Sequence, residues 1–229
     1  MIDEIDIATR HALYWARGEA LGENGEVLAD GSYIYQSTYF SQTFFSLFDK
    51  LAQLNDYCFH QLLAGEQRNA ELLSQQAEAL ASADADAAEL DYLDDEIRNW
   101  DDNLSVIARA TALVLLCSFV EWALKQVTND LYGDVCRKPQ KGLSKIEFLL
   151  QDLTQRGLEF NLDSEWLAIL ADFRSIRNAF AHGDWRRVEE SLEGISLGAC
   201  FSVVSRVFER LEEAAWAGPW LQDRQLRSS

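Results

Sequence analysis

The sequence has few residues that interrupt regular structure. Its 229 residues include only 2 prolines and 12 glycines, and good helix formers such as Ala, Leu, Glu, Gln and Arg fill the long segments between them. With 48% hydrophobic and 11% aromatic residues, the chain can bury a large core and is not compositionally disordered. The composition therefore predicts an all-α protein of one or two compact domains.

Patterns that bind metals or cofactors are missing as well. The cysteines form no CxxC pair, and none has a nearby histidine that would complete a zinc set. We therefore expect no metal and no cofactor. We interpret all four cysteines as reduced structural thiols, namely Cys58, Cys117, Cys136 and Cys200.

No export signal or membrane span is visible in the pattern. The first residues, Met1 to Asp6, are acidic where a signal peptide needs a basic region. The longest apolar run, Ala110 to Val120, is far shorter than the roughly 20 residues that span a bilayer. We expect a soluble cytoplasmic protein that does not bind membranes.

Positive charge is scarce and unevenly distributed. The chain has 38 acidic and 20 basic residues, a net charge of −18, and such a surface excludes a broad electrostatic nucleic-acid binder. Residues 1–110 carry 21 acids and 6 bases, a net charge of −15, whereas residues 111–229 carry 17 acids and 14 bases, a net charge of −3. Because salt screens charges beyond about 8 Å, a small basic site in the second half stays possible.

Charge and periodicity divide the chain into three segments. We expect an acidic helical N-terminal extension over residues 1–103, a helical bundle over 104–217 and a frayed C-terminal tail over 218–229. Apolar residues at helical spacing predict the following helices: 5–21, 37–57, 67–81, 104–131, 144–156, 164–182 and 201–216. Residues 188–197 fit either a short β-hairpin or a turn.

A dense acidic band fills residues 84–102, interleaved with Leu90, Leu93, Ile97 and Trp100. This spacing keeps one apolar helix face with acids on the others. The band is either a docking surface for a basic partner, such as a protein inhibitor, or a solvated helix face, and the second interpretation is the simpler one.

The helix predicted over 164–182, which we call the motif helix, ends in the one stretch that combines groups useful for chemistry. Arg174, Asn178 and His182 repeat every four residues and so lie along one stripe, with Arg177 beside them. Gly183 follows directly and is a natural helix stop. A histidine in this place can both accept and donate a proton near neutral pH.

The stretch from Arg177 to His182, Arg-Asn-Ala-Phe-Ala-His, resembles the RNxxxH form of the R-x4-6-H motif of the HEPN superfamily. Two further landmarks stand in the same order, namely an earlier long helix with an acidic residue in its middle, here Glu121, and a later helix that would close the bundle. The resemblance covers about residues 104–217. It implies an antiparallel HEPN-like helical bundle, to which residues 1–103 add a helical region.

The resemblance also implies an activity, because many HEPN proteins are metal-independent endoribonucleases whose homodimers build one composite site. In this chain His182 would be the general base or acid, Arg177 would stabilise the phosphorane, and Asn178 would orient His182 or the phosphate. Further contacts to RNA phosphates are expected from Arg174, Arg186 and Arg187. The products would carry a 2′,3′-cyclic phosphate, and the protein would act as a toxin or in phage defence.

Structural interpretations of the same residues stay open. Arg177 is also explained as a cation that Glu121 neutralises across the helix pair, and His182 as a surface contact at the helix end. Ordinary surface pairing with neighbouring glutamates explains Arg186 and Arg187 better than RNA contact does. The alternative to a nuclease is therefore a non-catalytic HEPN interaction module in which the motif is structural.

Overall fold

The main body of the protein is built from α-helices. The computed structural model describes residues 20–21, 27–29, 36–39, 41–82, 86–133 and 143–218. In chain order, the elements in these residues are β1 (Ala20–Leu21), β2 (Val27–Ala29), α1 (Gln42–Ala81), α2 (Ala87–Asn99), a π-helical turn (Trp100–Leu104), α3 (Ser105–Tyr132), α4 (Lys145–Gln155), α5 (Ser164–Ala181), α6 (Trp185–Leu192) and α7 (Leu197–Ala217). Apart from the short β1–β2 pair, the all-α prediction is confirmed for this part of the chain.

Helix α3 lies at the centre of the fold. It contacts α1, α4, α5, α6 and α7, and it is apolar nearly all round, as a helix enclosed by others must be. Leu113, Leu116 and Leu124 are fully buried along it. Glu121 is the only charged residue among the buried residues of this helix, so the rest of the fold has to satisfy one carboxylate near its core.

Helix α1 is one continuous helix of 40 residues, although the pattern predicts two separate segments, 37–57 and 67–81. Phe44 and Phe59 of α1 belong to the same buried cluster as α3 and α7. Gly65 keeps α1 close to the π-helical turn, because a Cβ atom there would overlap the Trp100 indole. The predicted boundary at residues 103 and 104 stays a prediction, while the packing places α1 and α3 in one core.

Two local predictions need correction. Of the β-hairpin or turn predicted over 188–197, the structure has only a turn at residues 193–194, because Trp185–Leu192 forms α6. The buried residues of α6 are Val188 and Leu192, and their spacing of four is helical. Arg109 of α3 then donates to the carbonyl oxygens of Leu192 and Ile195 at 3.0 and 2.8 Å, which satisfies groups left open at the end of α6.

The second correction concerns the N-terminal region, where a helix is predicted from about Ile5 to Leu21. Ala20–Leu21 instead pairs with Val27–Ala29 as an antiparallel ladder. Asn24-Gly25 stands between the two strands, and this dipeptide is a strong short-range hairpin signal. Residues 5–19 of the predicted helix and all of the tail after residue 218 lie outside the described residues.

Three cysteines are free and buried, namely Cys58, Cys117 and Cys200. Burial raises the pKa of the Cys58 and Cys200 thiols to about 12, and burial together with the Glu121 charge raises that of Cys117 to about 11. These thiols are therefore protonated at neutral pH, as expected of structural cysteines. Cys136 lies outside the described residues.

One described helix, α3, has the length and hydropathy of a membrane span, with a mean hydropathy of 1.7. Half of that span is buried against other helices of the protein, as in the central helix of a soluble bundle. The pair α6 and α7 passes the same test only when taken together, and it bends by 78°. These features are consistent with a soluble protein.

Glu212 of α7 joins the segment before α1 to the bundle. Its buried side chain accepts a hydrogen bond from the Ser37 hydroxyl, and Tyr39 stacks on Trp216 with ring centroids 4.8 Å apart. Burial raises the pKa of the Glu212 carboxyl, and the hydrogen bonds from residues 37–39 offset this only in part. The carboxyl therefore binds its proton more tightly in the folded chain than in the unfolded chain.

This shift predicts how stability depends on pH. Between the ordinary Glu pKa of 4.5 and the raised value, the folded chain holds a proton that the unfolded chain releases, so the free energy of unfolding falls as pH rises. The fall in melting temperature from pH 4.5 to neutrality should be smaller in Glu212→Gln than in wild type. Glu213→Gln, at an exposed neighbour that pairs with Arg210, is the control, and equal profiles for all three proteins would contradict the assignment.

Candidate active site at the C-terminal end of α5

The motif helix is α5, and its end is defined by backbone hydrogen bonds. The N–H of Asp184 donates to the carbonyl of Ala179 at 2.9 Å, and that of Gly183 donates to Phe180 at 3.1 Å. Gly183 has φ = 68°, the left-handed conformation that glycine adopts without strain. This is a Schellman motif. It makes His182 the C-cap residue, so the predicted helix stop is confirmed.

Helix α5 separates its apolar and polar faces clearly. Leu170, Phe173, Ile176 and Ala179 are buried in the bundle. The residues on the other sides of the helix end are exposed, namely Arg174, Arg177, Asn178 and His182. The predicted polar stripe therefore lies on the surface, where a large substrate has access to it.

Arg177 is fixed by an ion pair with the buried carboxylate of α3. Its Nη1 lies 2.9 Å from Oε1 of Glu121, as the structural interpretation of the two residues predicts. The other oxygen of Glu121, Oε2, lies 3.0 Å from Nζ of Lys145. The side chain of Glu121 is 11% exposed, against 44% for Arg177 and 42% for Lys145. One carboxylate thus holds two cations whose outer parts remain open to solvent.

Further charged groups adjoin this ion pair. Lys145 is the first residue of α4, and its ammonium lies near Lys125 as well as near Glu121. Ser144 and Glu147 form a capping box at the same helix start. Hydrogen bonds from Ser144 lower the pKa of Glu147, and the charge of Arg174 lowers it further. Arg174 therefore lies near the beginning of α4.

We call these basic groups the cationic cluster, and they come from three helices. Its members are Lys125 of α3, Lys145 of α4, and Arg174 and Arg177 of α5. Sequence reasoning found the two arginines and missed the two lysines. Lys125 gave no signal beyond its spacing of four from Glu121, and Lys145 lies 24 residues further along the chain than Glu121, so only the folded chain shows the contact.

Arg177 and His182 lie at positions on different sides of α5. Five helical steps place them about 140° apart around the helix axis and about 7.5 Å apart along it. Arg177 faces α3 and α4, where it bonds to Glu121, whereas the Asn178 and His182 stripe lies on another side. These positions favour a second chain, or a substrate that bridges the two groups, for a reaction that needs both of them at one atom.

The two weaker candidates lie on α6. Arg186 pairs with Glu190 at 2.9 Å, with both side chains mostly exposed, so the expected surface pairing is present. The backbone N–H of Arg187 donates to the side chain of Asp184 at 3.4 Å. Trp185 holds this helix against the end of α5 through an edge contact with Phe180, at a centroid distance of 5.3 Å. Both arginines are therefore exposed beyond the motif and outside the cationic cluster.

Within the described residues, no group of three or more His, Cys, Asp or Glu side chains could hold a metal ion. In the described residues, fold and site together define a mainly helical protein with an exposed polar helix end, where a buried carboxylate holds Arg177. No protein-family model, curated protein or solved structure matches this chain.

Proposed function

We propose that this protein is a HEPN-type, metal-independent endoribonuclease that works as a homodimer. One observation carries the proposal: the Arg-Asn-His motif stands exposed at a helix end, with Arg177 held by Glu121 at 2.9 Å. A guanidinium positioned in this way can stabilise charge on a phosphate without having to be ordered first. An exposed imidazole at the same helix end supplies the proton transfers.

The proposed chemistry is an internal transesterification of RNA. A 2′-hydroxyl attacks its own phosphate, the O2′–P bond forms, and the P–O5′ bond breaks. One imidazole accepts the proton of the 2′-hydroxyl and a second group donates a proton to the leaving O5′. Arg177 stabilises the phosphorane, and Asn178 orients His182 or the phosphate. The products are a 2′,3′-cyclic phosphate and a 5′-hydroxyl.

The geometry of one chain supports the proposed homodimer. The positions of Arg177 and His182 lie about 140° apart around the axis of α5, and a second copy would bring an imidazole opposite a guanidinium. The cytoplasm is the compartment that provides RNA, and toxicity or phage defence is the expected role. The acidic N-terminal region, which includes α2, would bind an inhibitor or another protein partner.

The proposal is tested with purified full-length protein and total cellular RNA. We expect cleavage that persists in EDTA, because the reaction uses neither a metal nor an activated water. Mapping of the ends should give 2′,3′-cyclic phosphates. RNA that stays intact with folded protein, or cleavage that EDTA abolishes, would overturn the proposal.

A non-catalytic HEPN interaction module is the second candidate. It is favoured by the same Arg177–Glu121 ion pair, because a pair of this kind can simply fasten α5 to α3. In that case the removal of Arg177 should lower the stability of the fold and leave RNA unaffected. The nuclease predicts the opposite, namely lost cleavage with little loss of stability.

A further inference from the structure

Helix α1 extends beyond the main core together with α2. Residues 67–81 of α1 and residues 86–99, which contain α2, form what we call the arm. Among the described residues of the arm, only Leu72 and Leu93 are buried, and neither belongs to the main core cluster. The last residue of α1 in that cluster is Leu63. The arm is therefore a pair of helices that bury one face against each other and leave their other faces open.

An apolar stripe runs along one open face of the arm. Its members are spaced three, four and three residues apart, as in the seam of packed helices, namely Ala70, Leu73, Ala77 and Leu80. Leu73 is 47% exposed and Leu80 is 65% exposed. Two exposed leucines that lie two helical turns apart on one face indicate a surface that another helix can cover.

Acidic side chains of α2 border the apolar stripe. Gln76 lies between Leu73 and Leu80 on the helix face, three residues after the first and four before the second. Its Nε2 donates to Oδ1 of Asp94 at 3.4 Å. Asp91 precedes Asp94 by one turn and lies on the same side of α2. A helix laid on the stripe would therefore meet leucine side chains in its middle and carboxylates along one edge.

The charge of the arm determines which partner fits the stripe. Residues 67–81 and 86–99 include eight acids and two bases, a net charge of −6, and one of the bases, Arg98, already pairs with Asp94. Two arms of this charge repel each other, so the stripe does not suit a second copy of the chain.

We propose that the arm is a docking surface for a basic amphipathic helix of another protein. The apolar residues of that helix cover Leu73 and Leu80, and its Lys and Arg side chains face the carboxylates of α2. The inference rests on the part of the proposed function that gives the N-terminal region a protein partner, and not on RNA cleavage.

The test uses purified full-length protein and fluorescein-labelled peptides of about 14 residues, which is long enough to cover the stripe. The first peptide consists of leucine and lysine, with its leucines at helical spacing. A second has the same composition in alternating order, so its leucines do not share one helix face. A third has the helical order with glutamate in place of lysine. Fluorescence anisotropy gives the Kd of each peptide at low and at high salt.

Two variants of the arm have matched controls. The double variant Leu73→Gln with Leu80→Gln removes the apolar side chains, and Leu167→Gln, at a leucine of α5 that is 44% exposed, is its control. Asp91→Asn removes one carboxylate beside the stripe. Its control is Glu78→Gln, because the exposed Glu78 lies about 160° around the axis of α1 from Leu80. Circular dichroism checks that every variant keeps its helix content.

We expect the helical leucine–lysine peptide to bind wild type more tightly than either of the other peptides. The double leucine variant should raise its Kd roughly tenfold or more. Asp91→Asn should raise the Kd about two- to threefold at low salt and by less at high salt. Both controls should stay within about a factor of two of the wild-type Kd.

Several results would overturn the docking surface. They are no binding by wild type, equal binding of the helical and alternating peptides, and wild-type affinity in the double leucine variant. Self-association of wild type that the double variant abolishes would place a second copy on the stripe and would overturn it as well. The nuclease is judged separately: peptide binding with intact RNA keeps the docking surface and removes the nuclease, whereas RNA cleavage without peptide binding does the reverse.

Discussion

His182→Ala is expected to lose RNA cleavage by roughly 10²- to 10⁴-fold, the usual contribution of a positioned acid or base. His182 is the C-cap of α5, and its backbone N–H donates to the carbonyl of Asn178 at 3.1 Å. That bond does not use the side chain. The imidazole is exposed, so its removal takes away the proposed proton-transfer group and leaves the helix end in place. The rate is measured on total RNA at equal protein concentration.

The matched control is His60→Ala. His60 is an exposed histidine of α1 that makes an edge contact with Phe59, at a centroid distance of 5.6 Å, and it has no place in the proposed site. The free energy of unfolding of both variants should lie within about 0.5 kcal/mol of the wild-type value. Wild-type cleavage by His182→Ala, or an equal loss in His60→Ala, would contradict the assigned role.

Local signals in the sequence predicted the motif helix and its end well. The run from Phe173 to Phe180 has the spacing of a buried stripe, and Gly183 marks the stop, because helix ends depend mainly on nearby residues. The start of α4 also depends on nearby residues, because its capping box at Ser144 and Glu147 lies within four residues of the sequence. Such features need no knowledge of the rest of the fold.

The features that the sequence did not predict depend on contacts between distant segments of the chain. The ion cluster joins Glu121 to Lys145 and Arg177, and no local pattern shows that α4 brings a lysine to that carboxylate. Gly65 falls between the two segments predicted separately, yet it lies inside a continuous helix, and Trp100 packs on it. Helix α6 was missed for a similar reason, since only two of its residues are buried and its end is completed by Arg109 from α3.

Removing one partner from each of two ion pairs of equal length distinguishes the two candidate functions most clearly. Arg177–Glu121 and Arg156–Asp152 both have N–O distances of 2.9 Å. Arg156 and Asp152 are only 10% and 2% exposed, and Arg156 also lies over the Tyr132 ring at 5.1 Å. Asp152→Ala leaves a buried guanidinium without its carboxylate, which should cost about 3–5 kcal/mol of stability.

Arg177→Ala should behave in the opposite way. Arg177 is 44% exposed, and Glu121 keeps Lys145 as a partner at 3.0 Å, so the loss of stability should stay below about 1 kcal/mol. RNA cleavage should nevertheless fall by roughly 10²- to 10³-fold, because the phosphorane loses its cation. Thermal melting and cleavage assays of the same preparations measure the two effects.

Arg68→Ala is the control for this comparison, because Arg68 also precedes an asparagine in a helix and pairs with an acid, Glu71, at 3.4 Å. It should change neither melting nor cleavage. A melting shift in Arg177→Ala as large as that in Asp152→Ala, about 6–20 °C for a chain of this size, would make Arg177 a structural fastener and favour the interaction module. A small melting shift together with lost cleavage would support the nuclease. Glu121 would then position Arg177 for the reaction rather than stabilise the fold.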